Sequence, residues 1–138
     1  MKKYFILVLL SAISLVSSAQ SNNIVGKWKL AKHLLTEKGK TSDLLDYDHS
    51  YTYDFSKDHT YSYTAIDTKN QTVTIIEGKW KFTNGGKTLH LYDGKQQDDD
   101  HMIGDKNFPV VKLTTTEFVT KELLFGMDLL GTSYYKKQ

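Results

Sequence analysis

The stretches IVGKWKL, residues 24–30, and IIEGKWKF, residues 75–82, share the tetrapeptide GKWK and contain both tryptophans of the chain. In each stretch the tryptophan (Trp28 or Trp80) shares a face with the preceding glycine, whereas the lysines lie on the opposite face. A period of two is typical of a half-buried β-strand. Glycine in such a strand indicates a place where a ring or a crossing strand needs room. We therefore predict two strands of shared geometry; a weak internal duplication is the alternative.

The segment between these strands, residues 51–65, carries aromatic residues at alternate positions. A three-residue turn at residues 57–59 would join two strands and place four aromatic side chains on one face. Such a turn ends in a left-handed residue, and His59 suits that position because His adopts a positive φ more often than most residues do. The predicted cross-strand pairs are Tyr53 with Tyr63 and Phe55 with Tyr61.

The rest of the chain supplies further strands. Asn84-Gly85-Gly86 is strong turn chemistry and predicts a hairpin that pairs Trp80 with Leu91 and Phe82 with Leu89. Further predicted strands lie in VVKLTTTEFV, residues 110–119, joined at Thr115-Thr116, and in TSYYKK, residues 132–137.

These patterns predict an all-β fold of about eight strands in hairpin order. Eight is a common number for a small up-and-down antiparallel β-barrel. Closure of the sheet would remove the unpaired edges that an open meander leaves exposed. A β-sandwich is the structural alternative.

Two predicted connections are long, and loops of this length are uncommon unless they are functional or mobile. Residues 34–50 contain one predicted helical turn, with Ser42 as its cap. The leucines of this connection are predicted to fold over the barrel mouth as a lid, and they are Leu34, Leu35, Leu44 and Leu45. The second connection, residues 93–107, is an acidic loop.

The N-terminal segment MKKYFILVLLSAISLVSSAQ has two lysines, an apolar run and then small residues. This order predicts a cleavable signal peptide over residues 1–19, cut between Ala19 and Gln20, and an exported domain over residues 20–138. The protein would then be periplasmic or secreted, with no stable membrane anchor after cleavage. A membrane anchor is the alternative, but the apolar run is short for a span.

Composition argues against several function classes. The chain has no Arg, and removal of Lys2 and Lys3 with the leader takes the net charge from +2 to zero. A neutral domain without Arg is poorly suited to nucleic acid, because Arg supplies the two-point contacts to phosphates and bases. The absence of Cys excludes disulfides.

Catalytic and metal-binding motifs are missing as well. The chain contains no Gly-x-Ser-x-Gly and no His-Glu-x-x-His motif, so we predict no enzymatic activity, no catalytic residues and no cofactor. The run Asp98-Asp99-Asp100-His101 has oxygen ligands that suit Ca²⁺, but it lacks the spacing of a calcium loop. A solvated loop tip is the favoured interpretation, and no metal site is predicted.

The order of the motifs resembles the short lipocalin-like domains that Gram-negative bacteria secrete. An opening Gly-x-Trp strand, an aromatic hairpin, a second Gly-x-Trp strand with its turn, and a Lys-Leu-Thr strand occur at residues 24–30, 51–63, 78–91 and 112–118. The resemblance implies an eight-stranded barrel that Trp28 closes at one end. It also implies that a basic residue of the last strand stacks over that tryptophan. Because the chain has no Arg, Lys136 or Lys137 would take this role.

The aromatic face is the most informative cluster for function. Its residues are either the core of a filled barrel or the wall of a ligand pocket. A buried tyrosine hydroxyl needs a partner, which favours a pocket that holds water or a polar ligand group. The candidate ligand-binding residues are Trp28, Tyr51, Tyr53, Phe55, Tyr61, Tyr63, Ile76 and Trp80.

Three functions are consistent with these observations. The favoured one is binding of a small apolar or amphipathic ligand, and without Arg a neutral ligand is the more natural choice. The second is a filled barrel that acts through its surface as an interaction or structural module of the envelope. The third is an enzyme on a lipocalin-type barrel, which a convergent His–carboxylate pair inside the barrel would support.

Overall fold

The computed structural model describes residues 19–99, 101–123 and 129–138, and β-strands dominate this part of the chain. Each strand pairs with the next along the chain through antiparallel hairpins, apart from two short insertions. The described strands are β1 (Gly26–Glu37), β2 (Lys40–Asp43), β3 (His49–Phe55), β4 (Thr60–Asp67), β5 (Thr72–Thr83), β6 (Thr88–Gln96), β7 (Met102–Ile103), β8 (Lys106–Leu113), β9 (Glu117–Leu123) and β10 (Leu129–Lys137).

The sheet closes because β1 pairs with β10 on one side and with β3 on the other. Eight strands form the barrel, and the short strands β2 and β7 are additional to it. The predicted up-and-down antiparallel barrel of about eight strands is therefore confirmed. No helix of the described residues is both long and apolar enough for a membrane span.

The two GKWK segments lie on β1 and β5, and their glycines admit neighbouring side chains. A Cβ on Gly78 would lie 2.8 Å from Cε1 of Tyr61, and one on Gly26 would lie 2.8 Å from Cε of Lys137. The predicted role of the glycine, which is to leave room for a ring or a crossing strand, is confirmed for Gly78, whereas Gly26 leaves room for the Lys137 side chain. Gly26 also has a φ of 121°, where side chains are rarely tolerated.

One end of the barrel is filled by large side chains. Residues 19–24 are helical and cover this end, and Ile24 at their C-terminal side is fully buried. The Ile24 carbonyl accepts a hydrogen bond of 2.6 Å from Nε1 of Trp28, so the tryptophan has a partner for its one polar atom. The buried residues of this core include Trp28, Phe55, Trp80, Leu89, Leu91 and Phe118.

Lys137 occupies the position over Trp28. Its Nζ lies 5.1 Å from the centre of the indole ring and donates a hydrogen bond of 3.3 Å to the Asn23 carbonyl. Lys137 is opposite Trp28 in the ladder that closes the barrel. The expectation that a lysine of the last strand stacks over this tryptophan is therefore confirmed for Lys137.

The predicted hairpins also form in the predicted register. His59 has a φ of 67°, as expected for the last residue of the turn between β3 and β4. Its imidazole stacks on Trp80 at 4.5 Å between ring centres, which connects this turn to the core. The confirmed pairs are Tyr53 with Tyr63, Phe55 with Tyr61, Trp80 with Leu91 and Phe82 with Leu89.

The prediction of a long connection with a helical turn at residues 34–50 was wrong. Strand β1 continues to Glu37, and a tight turn at Lys38 and Gly39 leads into β2. Both turn residues have positive φ, at 48° and 78°, so the turn has the geometry that two-residue hairpins prefer. Leu34 and Leu35 belong to β1, where they pair with β10 and β2.

The second predicted loop, residues 93–107, is mostly a hairpin. Strand β6 continues to Gln96 and pairs with β7 through Gly94 and Ile103. Asp93 has a φ of 52° and lies where the ladder with β5 shifts register, so it forms a bulge that extends the strand. Asp98 and Asp99 lie in the exposed turn, and Asp100 lies outside the described residues.

Replacing Trp28 by Ala should lower the free energy of unfolding by about 3–5 kcal/mol, because the change removes the largest side chain of the closed end. Denaturant-induced unfolding would measure the difference. Lys29→Ala, one residue along β1 and exposed, is the matched control and should change stability by less than about 0.5 kcal/mol. Equal unfolding midpoints for the two variants would contradict the role of Trp28 as the closing residue.

Candidate ligand-binding site

A cavity of about 280 Å³ occupies the half of the barrel beyond Tyr53, away from the filled end. Its size is close to the lower limit of small-molecule sites, which range from roughly 300 to 1,000 Å³. Side chains of six barrel strands and of the segment after β2 surround it. The lining residues are Leu30, His33, Leu44, Leu45, Tyr51, Tyr53, Tyr63, Lys106, Phe108, Glu122, Ser133 and Tyr135.

Four tyrosines form one wall of the cavity. The ring of Tyr53 contacts Tyr63 at 4.7 Å and Tyr135 at 5.8 Å between ring centres. Tyr51 stacks on Tyr63 at 6.4 Å, with the ring planes 10° apart. Because these rings support one another from strands β3, β4 and β10, the wall is formed before any ligand arrives.

The hydroxyl groups of Tyr51, Tyr53 and Tyr63 have no hydrogen-bond partner among the described residues. The three hydroxyls are not fully enclosed either, because the one fully enclosed side-chain polar atom without a partner among the described residues is Oε1 of Gln20. The hydroxyls are therefore open to the cavity. A hydroxyl that lost water without gaining a partner would cost free energy. The arrangement therefore requires water or a polar ligand group beside the tyrosines.

Burial is the main influence on the pKa values of Tyr53, Tyr63 and Tyr135. It raises the pKa of Tyr53 well above its usual value, and the nearby Tyr135, Tyr63, Tyr61 and Glu122 add to the effect. Burial raises the pKa of Tyr63 to about 12. It also raises the pKa of Tyr135, against the opposing influence of a hydrogen bond with Ser133. The phenols are therefore neutral hydrogen-bonding groups at ordinary pH.

His33 enters the cavity because of a bulge in β1. The ladder with β10 shifts by one residue between Leu30 and Lys32, so Ala31 is extra and the alternation changes face. His33 then faces inward, opposite Ser133, and its Nδ1 lies 2.9 Å from the Ser133 Oγ. Simple alternation through Trp28 places His33 outside the barrel, so only a bulge signal could have found it, and Ala31 gives none.

Two charged residues, Glu122 and Lys106, lie at the mouth of the cavity. Glu122 follows Phe118 and Thr120 on the inward face of β9, and Lys106 is opposite the buried Leu91 in the ladder of β6 and β8. Both side chains are exposed. The sequence alone could not identify these two residues as part of the site. The chain has many charged residues, and the side chains near a strand end cannot be assigned to the inner or outer face from sequence.

The segment after β2 covers part of the cavity. Leu44 and Leu45 line it, as the predicted lid requires. His49 fixes this segment to the barrel, with Nδ1 3.1 Å from Asp46 and Nε2 3.4 Å from Asp67. A hydrogen bond from the Asp48 amide lowers the pKa of Asp46, and one from the Asn70 amide lowers the pKa of Asp67, so both carboxylates are ionised.

The eight candidate residues occupy two regions of the barrel. Tyr51, Tyr53 and Tyr63 line the cavity. The other five belong to the packed part of the interior: Trp28, Phe55 and Trp80 are buried in the core, Tyr61 lies against Gly78 and Gly94, and Ile76 packs against the core and Gly94. Direct ligand contact by these five residues stays a prediction, and their position supports the tyrosine wall from below.

The described residues contain no cluster of His, Asp and Glu that could hold a metal ion. His33 and Glu122 both line the cavity, but no hydrogen bond between them occurs in the described part of the chain. The His–carboxylate contacts that do form join His49 to Asp46 and Asp67, and His90 to Asp105. The cavity is thus arranged for hydrogen bonding and apolar contact.

A family model for the lipocalin-like domain matches residues 24–120, which is most of the chain. The closed eight-stranded barrel agrees with this match. The chain therefore belongs to the lipocalin-like domain family. Barrels of this family are generally associated with ligand binding and are typically not enzymes. A search of curated proteins finds no match to the chain.

Alkaline titration followed by ultraviolet absorbance should show a tyrosine that ionises near pH 12, and Tyr63→Phe should remove this component. The folded protein favours the neutral phenol of Tyr63. Its contribution to stability is therefore complete below the ordinary tyrosine pKa of about 10 and is lost as the pH rises through about 12. Tyr47→Phe, at an exposed site, should retain the component. Its persistence in Tyr63→Phe would contradict the assignment.

Proposed function

We propose that the protein binds a small apolar or amphipathic ligand in the cavity of the barrel. The observation that carries this proposal is the set of three tyrosine hydroxyls that have no partner among the described residues and that line one cavity together with leucine and phenylalanine side chains. A filled core would not retain such groups, because each would need a hydrogen-bond partner. A ligand with an apolar body and at least one polar atom satisfies both parts of the wall.

The apolar part of the cavity lining comes from four side chains. Leu30, Phe108 and the two leucines of the covering segment line this part, and Leu44 is 51% exposed. A ligand that entered beside Leu44 would bury apolar surface on the leucine, which stabilises the complex by roughly 25 cal/mol per Å² of surface removed from water. The covering segment is thus suited to act as a lid that gains contacts when a ligand is bound.

The filled half of the barrel limits the size of the ligand. Trp28, Phe55 and Trp80 are at most 1% exposed, so no space remains for a ligand between them. The ligand must occupy the other half alone, and we infer a small molecule instead of a long-chain lipid. A filled barrel that acts through its outer surface is the function to test next if no ligand binds.

We also propose that the protein is exported to the periplasm or secreted after cleavage between Ala19 and Gln20. The support is the order of charged, apolar and small residues in the leader. Cleavage there would retain the residues that close the barrel. Gln20 donates a hydrogen bond of 3.2 Å from Nε2 to the Gly86 carbonyl, and Ile24 is fully buried.

An environment-sensitive apolar dye should bind the domain of residues 20–138 saturably, and Tyr51→Ala and Tyr63→Ala should each weaken binding by about tenfold, or ~1.4 kcal/mol. Each change removes one of the four tyrosines that form the wall. Tyr92→Ala is the matched control, since Tyr92 stacks on His90 outside the cavity. Fluorescence titration gives the affinities, and circular dichroism checks each fold. A folded parent that binds no dye would refute the proposal.

The exported protein should begin at Gln20, and it should be recovered from the periplasmic or culture fraction. N-terminal sequencing or intact mass measurement of the fractionated protein decides this point. Ala19→Arg should block processing, because the cleavage site requires a small residue there. An intact Met1 on protein from the membrane fraction would show that the leader is an anchor.

A further inference from the structure

The ligand cavity has a carboxylate at its mouth, that of Glu122, with which no described side chain forms an ion pair. On β9 the side chains of Phe118 and Thr120 point into the barrel and are buried, and Glu122 continues the same face. Among the described residues, the Glu122 side chain makes no hydrogen bond and no ion pair. By contrast, Glu117 on the same strand pairs with Lys112 outside the cavity.

Glu122 lines the same cavity as Tyr53 and Tyr135. Burial is the main cause of the raised pKa of these two tyrosines, and the carboxylate of Glu122 adds a smaller contribution. No cation is among the influences on either tyrosine. The carboxylate of Glu122 thus shares the cavity with the phenol oxygens and with the tyrosine rings, whose faces carry partial negative charge.

Lys106 and His33 line the cavity as well. Lys106 is exposed and lies on β8, and Nδ1 of His33 lies 2.9 Å from the Ser133 Oγ on the neighbouring strand β10. Neither residue makes an ion pair with Glu122 in the described part of the chain. Within the described part of the chain, the mouth thus presents a carboxylate without an ion-pair partner next to an aromatic wall.

An aromatic wall beside a carboxylate is the environment that stabilises an organic ammonium ion. The ring faces attract a cation within about 6 Å, and the carboxylate supplies the opposite charge and hydrogen-bond acceptors. The phenol oxygens accept further hydrogen bonds from an N–H group. An anionic head group would be repelled by Glu122, and its attraction to Lys106 would be the compensating charge interaction.

We propose that the ligand is an amphipathic amine, whose ammonium group lies between Glu122 and the tyrosines while its apolar body contacts Leu30, Leu44, Leu45 and Phe108. This inference rests on the proposed ligand-binding function and names its chemical class. It replaces the expectation of a neutral ligand, which considered the absence of Arg but not the position of Glu122.

The test compares octylamine, octanol and octanoate as competitors for the bound dye, at about pH 8, where an alkylamine is charged and an ordinary imidazole is largely neutral. The three compounds share one apolar body and differ in head-group charge. An exposed ion pair and a cation–π contact are each modest in strength. We therefore expect octylamine to displace the dye at about tenfold lower concentration than octanol, with octanoate the weakest.

Glu122→Gln should reduce the preference for octylamine over octanol to within about twofold, because it removes the charge that attracts the ammonium group. Glu117→Gln is the matched control, since it removes a carboxylate from the same strand outside the cavity, and it should retain the full preference. Lys106→Gln should retain the preference or increase it. Circular dichroism spectra of all three variants should match that of the parent.

Several outcomes would overturn the amine without affecting the proposed function. Octanol and octylamine could displace the dye equally, octanoate could be the best competitor, octylamine could fail to displace the dye, or the preference could survive in Glu122→Gln. In each of these cases the dye still binds, so the cavity still holds a ligand. A parent that binds no dye at all would instead refute both proposals.

Discussion

The ladder between the first and last strands is the constraint on which the rest of the structure depends. It brings Lys137 over the ring of Trp28, and the tryptophan in turn donates its one hydrogen bond to the Ile24 carbonyl. The N-terminal helical residues, the first strand and the last strand are thereby connected at one point. Because closure joins the two ends of the chain, every barrel strand gains two neighbours and no barrel edge is left open.

Closure at one end divides the interior into two parts with different physical properties. Large rings fill the part around Trp28 and Trp80. These rings either have no polar group or have a hydrogen-bond partner for it, as where Nε1 of Trp80 donates a hydrogen bond to the Ser56 carbonyl. Beyond Tyr53 the side chains carry hydroxyl, imidazole and carboxylate groups, and they surround a cavity. The filled part makes the barrel stable, so the other part is free to retain polar groups that a core would exclude.

The polar groups of the cavity act together. The bulge at Ala31 turns His33 towards Ser133, Ser133 contacts Tyr135, and Tyr135 packs against Tyr53. Glu122, on β9, lines the same cavity as the two tyrosines and makes a minor contribution to their raised pKa. Each of these side chains comes from a different strand or a different part of a strand, so a ligand bound there would contact several strands at once. Recognition by charge and by shape is combined in one small volume.

The sequence by itself determined the barrel, its hairpin registers and the inward tyrosines, because a period of two and local turn chemistry are read from neighbouring residues. His59 at the turn and Phe55 opposite Tyr61 are examples. Only the tertiary structure decided that His33 and Glu122 face the cavity, that residues 40–43 form a strand, and which aromatic residues are core. Bulges change the face of a strand without a sequence signal, and contacts across the barrel depend on strands far apart in the chain.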